Sequence, residues 1–425
     1  MKKYVALALI AIVVVFAFSL NYEMKDNEIV VKGRFTEYHL DKNGDLQDVY
    51  IVFYPDKRKH VYTYTSDGFT ILNPSSVVSA NVEKKDEDVY VIFSYSSGLK
   101  KIYHFINGPY YEFYVEFSKE VPVTLPSVNL SQYDLSQDNY YVSYYSKNKI
   151  VSICRVEEGD LKENVAYAKK LHVYMGPPKK TFLKEVFEDD YDKIIALLKK
   201  LHVYGGYDLV FYPFVWFFHW LYEMTGNFGW AIILFTFVVR LVLYPLYHAQ
   251  TKSMIKMRKI QKDIEYIKKK YKDPQKQQEA LTKLYKEKGI NPMSGCLMMF
   301  IQLPIFFILW RVITYFQEEF AYGKPFLFWH DLSVGGWKAN ALLVLITIVA
   351  SFFSTLITSQ DTRSAWQGVL MSAIFPLLFI SLPSGLFLYY ATNTLIQLVI
   401  TYYIYKRYKI KGLTIRELLG LPKKA

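Results

Sequence analysis

Arg240 is the residue whose surroundings ask most of its chemistry. It lies in GWAIILFTFVVRLVLYPLY, residues 229–247, and no acid occurs in that stretch. A guanidinium carries five N–H donors and stays charged in a protein. Left without partners at the centre of a bilayer, it costs at least about 2.5–3.5 kcal/mol. Seven residues of helix, roughly 10 Å, separate Arg240 from Tyr247, so its side chain needs help to reach an interface. Simple snorkelling is one reading. The other is a water-filled cavity in which the guanidinium and neutral hydrogen-bonding groups bind an anionic visitor reversibly. Such groups are present in other apolar stretches: Gln302 early in one, and Thr392, Asn393 and Gln397 in the last. Thr236 lies one turn before Arg240 on the same helix face. Each of these alone is an ordinary interhelical hydrogen bond, worth about 0.6 kcal/mol on average.

Other chemistries lack their residues. There is no phosphate-cradling glycine loop ending in Lys-Ser/Thr and no His-Glu-x-x-His helix. Ser384 in LPSGL has no histidine in the middle of another apolar stretch to act as its base. None of the five apolar stretches after residue 226 contains Asp or Glu, which ion-coupled transport ordinarily needs. The chain therefore reads as a non-enzyme with no cofactor, no metal and no small-molecule substrate.

The elements that must position Arg240 are membrane spans. Hydrophobic residues make up 52% of the 425, but they are segregated into windows of bilayer length. Behind Lys2 and Lys3 the first runs over Val5–Leu20. The others are roughly 228–247, 297–316, 341–359, 368–382 and 386–405. The 368–382 window is only about 22 Å long as a helix, short of a core of about 30 Å, so local bilayer thinning is expected. The net charge of +12 follows the same segregation: residues 252–288 hold thirteen Lys/Arg against five acids, and the tail from Lys406 seven against one. The positive-inside rule makes both cytoplasmic. Both termini then fall inside, and the region after the first span falls outside. A cleaved signal peptide is the alternative for the first span, and it exports the same region. Arg311 falls late in the third window, near the outer face, where it snorkels or meets Glu318 or Glu319. Cys154 and Cys296 fall on opposite sides, so no disulfide joins them.

Residues 22–180 read as an all-β sandwich. EIVVKGRFTEYHL and DVYIVFYP alternate around DKNGD, an Asn-Gly hairpin signal. The many tyrosines read as cross-strand packing. Residues 181–226 read as an amphipathic helix on the outer membrane surface followed by an aromatic linker, although the stripe Leu183, Val186, Phe187, Ile194, Leu198 and Leu201 could equally pack on the β-domain. Within 249–290, Met257, Ile260, Ile264, Ile267 and Tyr271 make a coiled-coil seam, and Asp273-Pro274 stops and restarts the helix. The result is a basic antiparallel hairpin, suited to acidic headgroups, RNA or nascent chains.

GNFGWAIILFTFVVRLVLYPLYHAQTKSMIKMRKIQKDI, KGINPMSGCLMMFIQLPIFFILW and LPSGLFLYYATNTLIQ together resemble the YidC/Oxa/Alb family of membrane protein insertases, in its bacterial form with a periplasmic β-domain. The resemblance implies an N-terminal span (1–21), the β-domain, a five-span insertase core (227–406) and a basic tail (407–425). It implies a hydrophilic groove open to the cytoplasm and lipid, with Arg240, Thr236, Gln302, Tyr390 and Asn393 as substrate-binding positions. Implied partners are nascent membrane proteins, the Sec translocon with SecDF, membrane lipids, and the ribosome through hairpin and tail; the location is the inner membrane. A small-anion transporter or channel using Arg240 is the alternative, and it has little use for the basic hairpin. A third is an assembly factor whose β-domain carries the function.

Overall fold

A computed structural model describes residues 20–25, 27–53, 57–63, 68–127, 134–146, 149–289, 294–359 and 362–419. The expected first span, residues 1–21, lies almost wholly outside them. The chain divides into two compact units, 1–210 and 211–425.

The first unit holds two antiparallel sheets. One runs in sequence order through β1 (Asn21–Lys25), β2 (Glu28–Lys32), β3 (Thr36–Asp41), β4 (Leu46–Phe53) and β5 (Lys57–Thr63). The other comprises β6 (Val77–Lys85), β7 (Asp88–Tyr95), β8 (Lys100–Phe105), β9 (Glu112–Thr124), β10 (Asp134–Gln137), β11 (Tyr140–Tyr145), β12 (Ile150–Lys162) and β13 (Val165–Gly176), ordered β10-β11-β12-β13-β9-β8-β7-β6. Strict alternation in β7 buries Val89, Val91, Phe93 and Tyr95 on one face, as period-2 patterning requires. The sheets meet through rings: Tyr38 of β3 lies 4.5 Å from Phe105 and 5.3 Å from Phe113 of the second sheet, centroid to centroid. This is the sandwich expected from sequence. On the other face of the large sheet, Tyr90, His104, Tyr114 and His172 sit opposite one another on neighbouring strands and stack at 4.2, 5.9 and 4.5 Å.

The Asn-Gly signal becomes the β3–β4 turn. Gly44 takes φ +84°, and the Asp41 carboxylate accepts from the backbone N–H of Asn43 and of Asp45, both at 2.8 Å. Sequence reasoning does not foresee what holds this turn. Lys101 of β8 is fully buried and its Nζ donates to the Gly44 and Phe69 carbonyls, both at 2.6 Å. The Tyr103 hydroxyl donates to the same Gly44 oxygen at 2.8 Å. Burial pushes the Lys101 amine down to about 8, with Asp45 Oδ1 at 3.5 Å opposing the shift.

Helices α1 (Lys180–Phe187) and α2 (Tyr191–Lys200) close this unit. Their apolar stripe is spent on the β-domain, which corrects the interfacial placement expected for them. Phe182 packs on Tyr110 and Tyr111, and Phe187 on Tyr140, His172 and Tyr174. Leu183, Ile194, Leu198 and Leu201 of the stripe are buried as well, and Val186 is half-buried.

The second unit is helical: most of α3 (Gly206–Thr225), then α4 (Phe228–Val242), α5 (Tyr244–Lys259), α6 (Gln261–Lys270), α7 (Pro274–Glu287), α8 (Ser294–Tyr315), α9 (Gln317–Tyr322), α10 (Trp337–Thr358), α11 (Thr362–Leu378), α12 (Ser384–Arg407) and α13 (Ile415–Leu418). Among the described residues α10 is long and apolar enough by itself to cross a membrane; Phe228–Val242 and Phe306–Tyr315 are shorter apolar segments. The expected span at 228–247 is broken at Leu243. Pro245 has no N–H, and its ring crowds the carbonyl of Leu241 four residues back. The expected 368–382 span is displaced: α11 covers 17 residues and ends at Leu378, before the turn that leads to Pro383.

The hairpin forms as α5–α6 against α7, with Ile260, Ile264 and Leu284 buried between the arms. Asp273 caps α7, its carboxylate accepting from Gln275 N–H at 2.9 Å. Arg258 braces the hairpin base: its guanidinium donates to the carbonyls of Ile357, Ser359 and Lys411. The first two close the C-terminal end of α10, where a cation is favoured. Leu413 N–H then bonds Leu356 O at 2.8 Å, and Leu418 of α13 is buried against Leu356 and Ala365.

Candidate functional site: a buried arginine between two helices

Helix α4 is started by Asn227, whose side chain accepts from Gly229 N–H at 2.9 Å and donates to Pro325 O at 2.9 Å. Gly229 is needed there: a Cβ would stand 2.0 Å from the Phe326 ring. Eleven residues on, Arg240 is 5% exposed. Nε donates to Asn393 Oδ1 at 2.6 Å and Nη1 to Gln397 Oε1 at 2.7 Å. The guanidinium also lies 4.3 Å from the centroid of the Tyr247 ring. Asn393 and Gln397 stand one turn apart on α12, and Gln397 Nε2 donates on to Thr401 Oγ1 at 3.1 Å. Two neutral amides thus hold a buried cation. Charge-assisted hydrogen bonds offset much of its desolvation, and among the described residues no carboxylate pairs with it.

Thr236 is buried one turn away on α4, where its hydroxyl donates to Ile232 O at 2.7 Å. Tyr390 lines an apolar pocket with Phe306, Trp310, Pro376, Phe379 and Leu386. The Gln302 side chain lies outside the described residues. Sequence reasoning passed over Tyr247 and Tyr389. Tyr247 is two turns beyond Arg240, and Tyr389 is one turn before Asn393; helical spacing was the signal for both. The Tyr389 hydroxyl is buried with no hydrogen-bond partner among the described residues.

The Pro-Ser-Gly stretch positions α12. Ser384 Oγ lies 2.8 Å from both Val334 O and Asn340 Oδ1 and shares its one proton between them. Asn340 Nδ2 donates to Ile380 O and Leu382 O, both at 2.8 Å. Both residues are fully buried. Ser384 therefore clamps the start of α12 to Val334 and Asn340. Ser384→Ala should cost about 1–2 kcal/mol of stability, and Asn340→Leu about 2–3 kcal/mol, because Leu382 O loses its side-chain donor, Ile380 O keeps only Gly336 N–H, and Ser384 Oγ loses an acceptor. Thermal unfolding in detergent reads both. A loss of activity in Ser384→Ala without loss of stability would contradict the clamp.

Comparisons with known proteins agree on one family. Residues 220–411 match the family described as 60Kd inner membrane protein. A Thermotoga maritima protein described as membrane protein insertase YidC is 53% identical over 447 residues, covering 100% of both chains. The YidC of Campylobacter jejuni is 37% identical over 46% of this chain and 37% of its own length. Among solved structures, an active YidC insertase with its first transmembrane domain resolved superposes with TM-score 0.79 at 50% identity, covering 95% of this chain and 99% of that one. The crystal structure of YidC from Thermotoga maritima gives TM-score 0.66 at 40% identity, covering 90% and 100%.

Proposed function

The chain belongs to the YidC family of membrane protein insertases, and from that premise we propose that Arg240 is the fixed charge of a hydrophilic groove through which it inserts and helps fold nascent inner-membrane proteins. The observation that carries this is a buried cation whose hydrogen-bond acceptors include two neutral amides, Asn393 and Gln397, with no ion pair to it among the described residues. An acidic side chain on a client segment competes for those donors, because a carboxylate accepts more strongly than an amide. The groove opens to the cytoplasm and closes to the outside, so a polar tail crosses less than the full core of about 30 Å. Thr236, Gln302 and Tyr390 complete the client path, with Gln302 a polar partner and Tyr390 on its apolar side. The apolar part of the client then partitions into lipid beside α8 and α11. No covalent step is involved.

In this reading both termini are cytoplasmic, residues 1–21 span the membrane, the β-domain is periplasmic, and 227–406 form the insertase core. The basic hairpin receives the ribosome together with the tail, and the protein works alone or beside the Sec translocon and SecDF. The brace of Arg258 on Lys411 O supports a tail that acts with the hairpin as one surface.

Cysteine accessibility tests the groove. The background variant is Cys296→Ser; Cys154 stays because it is buried and its thiol is pushed up to about 12, which keeps it unreactive. In inverted vesicles Asn393→Cys and Gln397→Cys should react with a membrane-impermeant maleimide, and a bound client should block the reaction. No labelling from the cytoplasmic side would refute a wet groove.

A further inference from the structure

We propose that the helical unit binds one anionic phospholipid, with an acyl chain in an apolar cavity between α3, α4 and α8 and the phosphate on Arg311. The cavity measures about 280 Å³, and its lining is apolar throughout, including Phe214, Phe217, Val238, Val242, Ile308 and Leu309. Val239 and Leu243 complete the lining; they flank Arg240 in the chain, and the cavity wall they form carries no polar surface. Arg311 is exposed and lies 5.5 Å over the Phe211 ring. Arg311 is three residues from Ile308, and Phe211 is three residues from Phe214. Two helices therefore both place the cation one turn beyond the cavity, at the same end.

Three considerations select the occupant. An all-apolar cavity excludes water and takes hydrocarbon, and the inner membrane supplies hydrocarbon. A transmembrane helix is at least about 10 Å across, so a volume of this size would admit only about 4 Å of its length; an acyl chain is thin enough. A guanidinium at the rim pairs with phosphate in a bidentate fork, and a headgroup without its own ammonium is favoured there over a zwitterionic one. A phospholipid of net negative charge meets all three.

The full-length protein, reconstituted in nanodiscs of equal phosphatidylglycerol and phosphatidylcholine and then extracted for native mass spectrometry, tests this. The wild type should retain one phosphatidylglycerol per chain, about tenfold over phosphatidylcholine, the ratio expected of one charge-assisted contact. Arg311→Gln should bring the ratio near one, and Arg311→Lys should keep most of it. Val238→Trp, which fills the cavity, should lose both lipids. An unchanged ratio in Arg311→Gln overturns the headgroup assignment and with it the proposal. Unchanged retention in Val238→Trp, with the fold intact by thermal unfolding, overturns the acyl site. Displacement of the lipid one-for-one by a single-span client assigns the cavity to clients and also overturns it. Arg311 is exposed, so its variants decide the matter even where a cavity-filling variant fails to fold. Retention is read without insertion, so a failure here is distinct from a failure of the groove.

Discussion

Arg240→Ala should lower insertion of a single-span client with an acidic outer tail by at least tenfold in proteoliposomes. A hydrogen bond to a charged group contributes about 1.5–3 kcal/mol, and tenfold corresponds to about 1.4 kcal/mol. The same variant should cost far less with a neutral-tailed client, because the charge then meets no partner in transit. Folding should survive: alanine removes a buried cation together with its desolvation cost, and the Asn393 and Gln397 amides can turn to each other or to water. Arg240→Lys separates charge from shape. Lysine keeps the positive charge but lacks the planar fork that reaches Asn393 through Nε and Gln397 through Nη1. Intermediate activity, with acidic clients still preferred, is the expected result. Equal activity of wild type and Arg240→Ala on both clients would remove Arg240 from the mechanism.

The second large effect lies in the β-domain. Lys101→Met should destabilise the β3–β4 turn by about 3 kcal/mol, the lower end of the cost of breaking a buried ionic cluster. It strips the donor from Phe69 O and one of two donors from Gly44 O. The wild type should also show a pH signature. Its folded amine titrates near 8 against an ordinary 10.5, so above pH 8 the folded state releases the proton while the unfolded state keeps it. Stability rises wherever the unfolded state binds more protons. The Lys101 contribution is therefore flat below about 8 and climbs between 8 and 10.5, by at most about 3 kcal/mol. The gap between wild type and Lys101→Met should widen across that window. Hydrogen exchange of the turn amides in the full chain, from pH 7 to 10, measures it, and taking the difference between the two proteins cancels the tyrosines that begin to titrate higher. A constant gap would mean that the amine keeps its proton throughout.

Much of this architecture is legible one-dimensionally. Window length and hydropathy locate the helices of the second unit because a bilayer sets a length that ordinary sequence does not. Period-2 alternation and the Asn-Gly turn locate the sandwich. Asp273-Pro274 marks the hairpin restart through capping chemistry alone. The boundaries are less legible. Pro245 breaks a stretch that hydropathy reads as continuous, and α11 is shifted towards its N-terminus. Hydropathy sums over a window and does not register a missing N–H. The stripe of α1 and α2 shows a similar limit, because an apolar face is equally satisfied by lipid or by a sheet.

The sequence by itself determined that Arg240 needs a partner and that no span offers an acid. Both follow from counting residue types along the chain. Only the tertiary structure decided which neutral groups answer it, because Asn393 and Gln397 lie 153 and 157 residues away and nothing local links them. The same holds for the tyrosine pair. Tyr389 and Tyr390 are adjacent in the chain but about 100° apart around α12. One is buried one turn from Asn393, on the Arg240 face, with its hydroxyl unsatisfied among the described residues, and the other turns to an apolar pocket. Lys101 completes the contrast: a lysine in an alternating strand reads as surface until a turn from the other sheet supplies carbonyls to receive it. Hydrogen bonds and burial depend on what lies across the gap, and that is set by how elements pack.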